Sequence, residues 1–397
     1  MKLPEADWQR RAELRRLLAL LGAGDGDTRF VGGCVRDTLL RLPVSDVDLA
    51  TRLQPQEVIE RLKRGAIKAV PTGLAHGTVT AVVGGKPVEV TTLRRDVSTD
   101  GRRATIAYTE DWREDAARRD FTINALSADP GERTLYDYFG GVQDLEARRV
   151  RFIGDPLVRI AEDHLRILRF FRFHARFGQG EPDGAALEAC AARANDLMAL
   201  SRERIADELL KLLSLPNPAP TLRLMVARGI LRPVLPEIDS AGGLARLVER
   251  EAEAGIAPDP VRRLAALLPP DQETAAAVAA RLRLSNKAAK RLIADAERAL
   301  DAPERLAYRI GRDEAIDRLL LADGDPAAAA ALGDWRRPRL AVTGGDLIAM
   351  GLEPGPMVAR TLQSVEREWA DAGFPEDAET ARAIARRHVD QALRERQ

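Results

Sequence analysis

A chain of 397 residues with 45% hydrophobic content has material for roughly two to four packed units. Lys+Arg and Asp+Glu are both 61, so net charge is zero and any surface for a polyanion must be local. Two distant cysteines, Cys34 and Cys190, exclude a disulfide framework and a zinc site and fit a reducing cytoplasm, and without a signal core or an apolar run of membrane-spanning length neither a membrane nor a protein partner is evident.

The spacing of Leu14, Leu17, Leu18 and Leu21 predicts a helix over 8–22. Arg29-Phe30-Val31 reads as a short strand, followed by Gly32-Gly33 and a helix from Val35 to Leu42. Two β-rich runs, Gly77–Val83 and Pro87–Thr92, flank Gly84-Gly85 and predict a hairpin. After Gly154-Asp155-Pro156 helical patterns dominate, punctuated by prolines at 214–220, 258–260, 269–270 and 325–326. The fold class expected is α+β: a head at 1–145 with a small mixed β-sheet and helices, then an all-α neck at 146–215 and an all-α body and tail at 216–397.

The chemistry concentrates in the head. Paired glycines between a strand and a helix let backbone approach a ligand closely, and a helix start suits a triphosphate. Gly33 and Arg36 stand there, Arg36 able to fork onto a phosphate. Asp46-Val47-Asp48 follows. In a strand, residues two apart share a face, so two carboxylates stand side by side as hard ligands for Mg²⁺. Two such ions can activate a hydroxyl and stabilise leaving pyrophosphate. Alone, Asp-x-Asp reads as a solvated turn; with Gly32-Gly33 and Arg36 it points to a nucleotidyltransferase core.

Gly-Gly-x-Val-Arg-Asp followed by Asp-x-Asp resembles the first motif of the class II tRNA nucleotidyltransferase and bacterial poly(A) polymerase family. Gly73–Val79, Glu89–Arg94, Arg118–Leu126, Tyr136-Asp137 with Gly140–Leu145, Glu162–Arg169, and Ser201–Ile205 with Glu208-Leu209 resemble later segments in order. Asp100–Arg103 falls where the family has a flexible loop. The strong part spans 29–211.

The resemblance implies a template-independent enzyme that adds C, C and A from CTP and ATP to the tRNA 3′ end and releases pyrophosphate, with Asp46 and Asp48 catalytic and holding Mg²⁺. It also implies that Arg119 contacts the nucleotide and Asp120 its ribose hydroxyls, with Asn124 in support. Read without the family, Arg119-Asp120 is a capping aspartate beside a solvated arginine. Glu89 is either a third carboxylate near the metals or a ladder residue.

On a continuous helix over 162–177, Arg166, Arg169, Arg172 and Arg176 share a broad face, with Ile167, Leu168 and Phe171 opposite. Asp163 and Arg166 then form an i,i+3 pair. The plain reading is an ion pair on a solvated face. The sharper one is base recognition. Asp163 accepts and Arg166 donates, matching the amino donor and ring-nitrogen acceptor of cytosine and adenine and rejecting uracil and guanine. The resemblance implies the same pair of roles. Arg169 and Arg172 would face the phosphates or the same pocket.

The helical tail is expected to hold tRNA through phosphate contacts, with basic clusters at Arg281–Arg291 and Arg382–Arg387 that also read as ordinary solvated faces. Three rivals remain. A poly(A) polymerase of this family usually carries a Gly-Arg-Arg-Phe-like stretch where Val70–Gly77 stands here. A split enzyme would add only CC or only A; the loop at 94–103, which CC-only relatives tend to lack in part, disfavours CC-only. An inactive RNA-binding protein would not need Asp46, Asp48, Asp163 and Arg166.

Overall fold

The computed structural model describes residues 1–99 and 104–395, so the loop expectation at Asp100–Arg103 lies outside the described residues. The chain forms two compact units, Met1–Pro236 and Glu237–Gln397.

The first unit opens with a 3-10 turn at Asp7–Arg10 and helix α1 (Ala12–Leu20), whose Leu14, Leu17 and Leu18 are buried as their spacing requires. A mixed seven-stranded sheet follows. It comprises β1 (Thr28–Val31), β2 (Val47–Thr51), β3 (Lys68–Gly73), β4 (Thr78–Val83) and β5 (Lys86–Thr92), with β8 (Ser127–Ala128) and β9 (Leu135–Tyr136), in the order β3-β4-β5-β2-β1-β8-β9. A separate hairpin joins β6 (Arg94–Thr99) to β7 (Ala104–Tyr108). The predicted hairpin is β4–β5, and Gly84 and Gly85 take φ of 56° and 76° in its turn, the geometry a tight two-residue connection needs.

Helices α2 (Gly33–Leu39) and α3 (Pro55–Arg64) flank the sheet's central strands in sequence. The first begins two residues earlier and ends three earlier than its pattern predicts. Beyond the sheet come α4 (Trp112–Ala117) and α5 (Gly141–Glu146). From Asp155, whose side chain caps the next helix and precedes Pro156, the unit is helical: α6 (Pro156–Glu162), α7 (Arg166–Phe177), α8 (Gly184–Ala192), α9 (Arg202–Leu213) and α10 (Ala219–Ala227). A chain of ring contacts through Phe121, Phe152, Phe170 and Phe173 packs α7 against the segment after α4, with centroids 4.8–6.4 Å apart.

One expectation fails here. The helix over 162–177 is broken. Asp163 is extended (φ −152°, ψ 107°), and its Oδ1 accepts from the Leu165 N–H at 3.1 Å. A short acidic side chain that captures a nearby backbone N–H competes with helix, and here it wins.

The second unit is all-α among its described residues. One apolar core gathers Val342, Leu347, Val365, Trp369 and Ile384; another gathers Leu247, Leu306, Ala315 and Leu319. Between the helices at Gly242–Glu253, Pro260–Ala265 and Arg312–Leu321 lies a buried ionic network. Glu251 accepts from Arg262 and Arg263, each at 2.8 Å, and Asp317 accepts from Arg262 at 2.9 Å and Arg291 at 2.6 Å.

Candidate active site

Strand order brings the site together. β1 runs antiparallel to β2, with Phe30 opposite Leu49, so the Gly32 turn leaving β1 and the Asp48 level entering β2 lie at the same end of the sheet. β5 runs parallel to β2 on its other side and sets Glu89 beside Asp48. Gly32 takes φ 68° and ψ −125°, and a Cβ there would stand 3.1 Å from Arg119 Nη1. Only glycine fits that turn.

A cavity of about 830 Å³ opens at this end. Gly32, Gly33, Asp46, Val47, Asp48, Pro87 and Glu89 form one part of its wall; Arg36, Arg118, Arg119, Asp120, Asn124, Asp163, Arg166, Arg169, Arg172, Phe173 and Lys211 form the rest. The site residues named from sequence therefore all share one cavity. Asp46 lies one residue before β2 and is exposed, whereas Asp48 is half-buried within it. Burial pushes the Asp48 carboxyl up to about 6, the Glu89 and Asp46 charges add to this, and Arg119 opposes it.

A carboxylate whose charge is raised in energy by its own neighbours is one that a cation relieves. Among the described residues no three His, Cys, Asp or Glu side chains make a complete cation cage. Cys34 is a packing residue: burial pushes its thiol up to about 12, and Sγ lies 3.4 Å from the Val31 carbonyl.

The arginine side of the wall is internally braced. Arg36 is buried on α2, donates to Asp37 at 2.8 Å and to Asn124 Oδ1 at 2.5 Å, and lies over the Phe177 ring at 4.2 Å. Burial lowers its pKa, with Asp37 working in the other direction. Arg119 pairs with Asp115 at 3.3 Å. Asp120 is no helix cap. Its Oδ2 takes Arg169 at 2.6 and 2.8 Å, and its Oδ1 takes Asn124 at 2.9 Å. Burial alone would raise Asp120, but Arg169 and Asn124 outweigh it and hold the carboxyl at about 2. Arg172 pairs with Glu208 at 2.6 Å.

The expected Asp163–Arg166 ion pair is not made, because the helix break removes the i,i+3 geometry. Asp163 pairs instead with Arg204, at 3.0 and 2.8 Å. Arg166 pairs with Glu162 at 2.5 Å and donates to the Arg118 carbonyl at 3.0 Å. Both still line the cavity.

Sequence reasoning gave no role to Arg118, Glu162, Phe173, Arg204, Glu208 or Lys211. The positions of Arg204 and Glu208, four apart on α9, were the available signal: opposite charges one turn apart on a helix beside α7.

Residues 28–151 match the poly A polymerase head domain, and residues 181–241 match a domain described as the probable RNA and SrmB-binding site of polymerase A. The mitochondrial CCA tRNA nucleotidyltransferase 1 of Mus musculus is 34% identical over 94% of this chain and 90% of its own length. The CCA-adding enzyme of Limosilactobacillus fermentum is 32% identical over 92% and 94%. The chain belongs to the CCA tRNA nucleotidyltransferase family.

As a CCA-adding family member it is a nucleotidyltransferase, and its relatives extend over both compact units. The Bacillus stearothermophilus CCA-adding enzyme, crystallised in complex with CTP, superposes with a TM-score of 0.75 at 26% identity, over 97% of this chain and all of that one. The family's chemistry uses a divalent metal. No described helix is long and apolar enough to cross a membrane.

In the second unit the two ends of the Arg281–Arg291 cluster are engaged in ion pairs, and Arg291 belongs to the buried network rather than to a solvated face. Arg281 pairs with Glu237 at 2.7 Å, and Arg291 with Asp259 and Asp317 at 2.7 and 2.6 Å.

Proposed function

We propose that the protein adds C, C and A from CTP and ATP to the 3′ end of tRNA without a nucleic-acid template and releases pyrophosphate. The observation that carries this reading is one cavity with unneutralised carboxylates at its strand end and braced arginines at its helical end. The CTP bound to the B. stearothermophilus relative supports the substrate class.

Asp46 and Asp48 are the residues to hold Mg²⁺. When bound, the metal supplies positive charge for the attacking 3′ oxygen and the departing pyrophosphate. Gly32 and Gly33 let the triphosphate approach backbone, and Arg36 and Arg119 face its negative charge. Asp120 serves the ribose from a position fixed by Arg169, with Arg172 completing the basic wall. Asp163 accepts the amino proton of cytosine or adenine and Arg166 donates to the ring nitrogen, which leaves uracil and guanine mismatched at both contacts. We keep the division into a head at 1–145, a neck at 146–215 and a tRNA-holding body and tail at 216–397. Both cysteines are free and buried, which supports a reducing cytoplasm.

Purified protein incubated with tRNA lacking its terminal CCA and supplied with both CTP and ATP should yield CCA ends by sequencing. CC alone, A alone, a poly(A) tract or unextended ends would each overturn the reading. Asp46→Ala should lower incorporation at least roughly 10³-fold, about 4 kcal/mol of transition-state stabilisation.

A further inference from the structure

Asp163 does not stand free in the cavity wall. Its Oδ1 accepts from Leu165 N at 3.1 Å and from Arg204 Nη2 at 3.0 Å, while Oδ2 accepts from the same Arg204 nitrogen at 2.8 Å. An ionised carboxylate has two acceptor positions on each oxygen. Oδ1 is filled by these two donors, and Oδ2 keeps one position for an incoming amino group. Arg204 reaches Asp163 from α9 and is not among the described residues that line the cavity.

The position of Arg204 is locally unfavourable. It lies in the first turn of α9, where a cation opposes the helix dipole. One turn later Glu208 takes Arg172 at 2.6 Å. α9 thus presents a positive and then a negative side chain to two cavity residues of opposite sign. Asp163 sits at a break between α6 and α7, in extended backbone, and the helices on either side do not fix its side chain. Arg204 and the Leu165 N–H are what aim it.

We infer that Arg204 is a positioning residue for base selection: by gripping Asp163 from behind the wall it aims the Oδ2 acceptor that reads cytosine and adenine. The inference rests on the assignment of Asp163 as base reader. Its loss should act on nucleotide recognition and on the choice of base and leave the transfer step largely intact.

The test measures KM and kcat for CTP and ATP, and misincorporation of UTP and GTP, in Arg204→Ala, Arg204→Lys and Asp163→Ala, with a melting curve for each. Arg204→Ala should raise KM for both substrates about tenfold, change kcat less than about threefold, and raise UTP incorporation relative to CTP about tenfold. Arg204→Lys, which keeps the charge but not the planar guanidinium or its reach, should fall between Ala and wild type. Wild-type KM and wild-type rejection of UTP and GTP in Arg204→Ala would overturn the inference, whatever its melting temperature. Should the alanine variant not fold, an Arg204→Lys enzyme unchanged in KM and selectivity overturns it equally. The Asp163→Ala arm separates the two claims. If it keeps base selection, the base-reader assignment fails; if it loses selection while the Arg204 variants keep theirs, only the Arg204 inference fails.

Discussion

At the scale of single residues the arginine side of the site is a set of charges braced by one another. Asp120 is the clearest case, a buried carboxyl that Arg169 and Asn124 hold at about 2 against the cost of burial. Because its folded pKa lies below the ordinary 3.8, its contribution to stability is present above that value and is lost as pH falls towards 2. It amounts to roughly 2 kcal/mol. Asp120→Asn should therefore destabilise by about 2–3 kcal/mol at pH 7 in urea unfolding, and the deficit should shrink near pH 2. Asp295 in the second unit is the opposite case. It is 1% exposed, and burial, with Asp317 beside it, raises its carboxyl to about 8 against Arg291 and Arg298. Its contribution is fully present below 3.8 and is lost as pH rises through 8. Asp295→Asn should melt above wild type at pH 9, by roughly 2–4 °C if about 1 kcal/mol is recovered, with the gap closing towards pH 5. The grouping of Gly32, Gly33, Arg36, Asp46 and Asp48 at one cavity was legible because they are close in the chain. The partners of Arg204 and Glu208 were not, since their one-turn spacing marks them as a pair on a helix while contacts across 41 and 36 residues leave no sign of which side chain each one meets.

At the scale of elements, the strands were read more accurately than the helix that matters most. The β4–β5 hairpin follows from alternation and Gly84-Gly85 alone. The helix expected over 162–177 starts only at Arg166, because the periodicity of Ile167, Leu168 and Phe171 does not register a single side chain that captures Leu165 N–H. The parallel β2–β5 register, which was not readable either, sharpens the question of Glu89. It stands beside Asp48 in the ladder and raises its pKa by charge. Glu89→Gln should weaken divalent-metal dependence of the reaction about 10- to 100-fold, seen as a shift of the metal titration midpoint, with unchanged melting. A midpoint that stays put would leave Glu89 as a ladder residue. Packing along α7 is a stability matter. Phe170 is fully buried among Phe121, Phe152 and Phe171, and Phe170→Ala should cost about 3–5 kcal/mol in chemical unfolding.

At the scale of the whole molecule, an α+β head followed by a helical remainder was legible from the loss of alternation after Pro156. The ionic interior of the second unit was not, because Glu251, Arg262, Arg263 and Asp317 look like solvated helix faces in sequence yet all are at most 3% exposed. Removing one charge from such a network leaves others stranded, so Glu251→Gln should cost about 3–5 kcal/mol of unfolding free energy, more than any exposed ion pair in the chain. In the first unit, α7 carries Arg166 at its start and Phe177, which stacks under Arg36, at its end. One rigid rod therefore spans from the Arg166 side of the cavity to the Gly32–Arg36 turn. Its length is a gauge. A single residue inserted between Arg169 and Phe173 would advance one end by about 1.5 Å and rotate it by about 100°, putting both ends out of step at once. The same insertion at the exposed bend around Gly180 would leave the spacing untouched, so insertional scanning of this segment should show an abrupt boundary between loss of nucleotide addition and indifference.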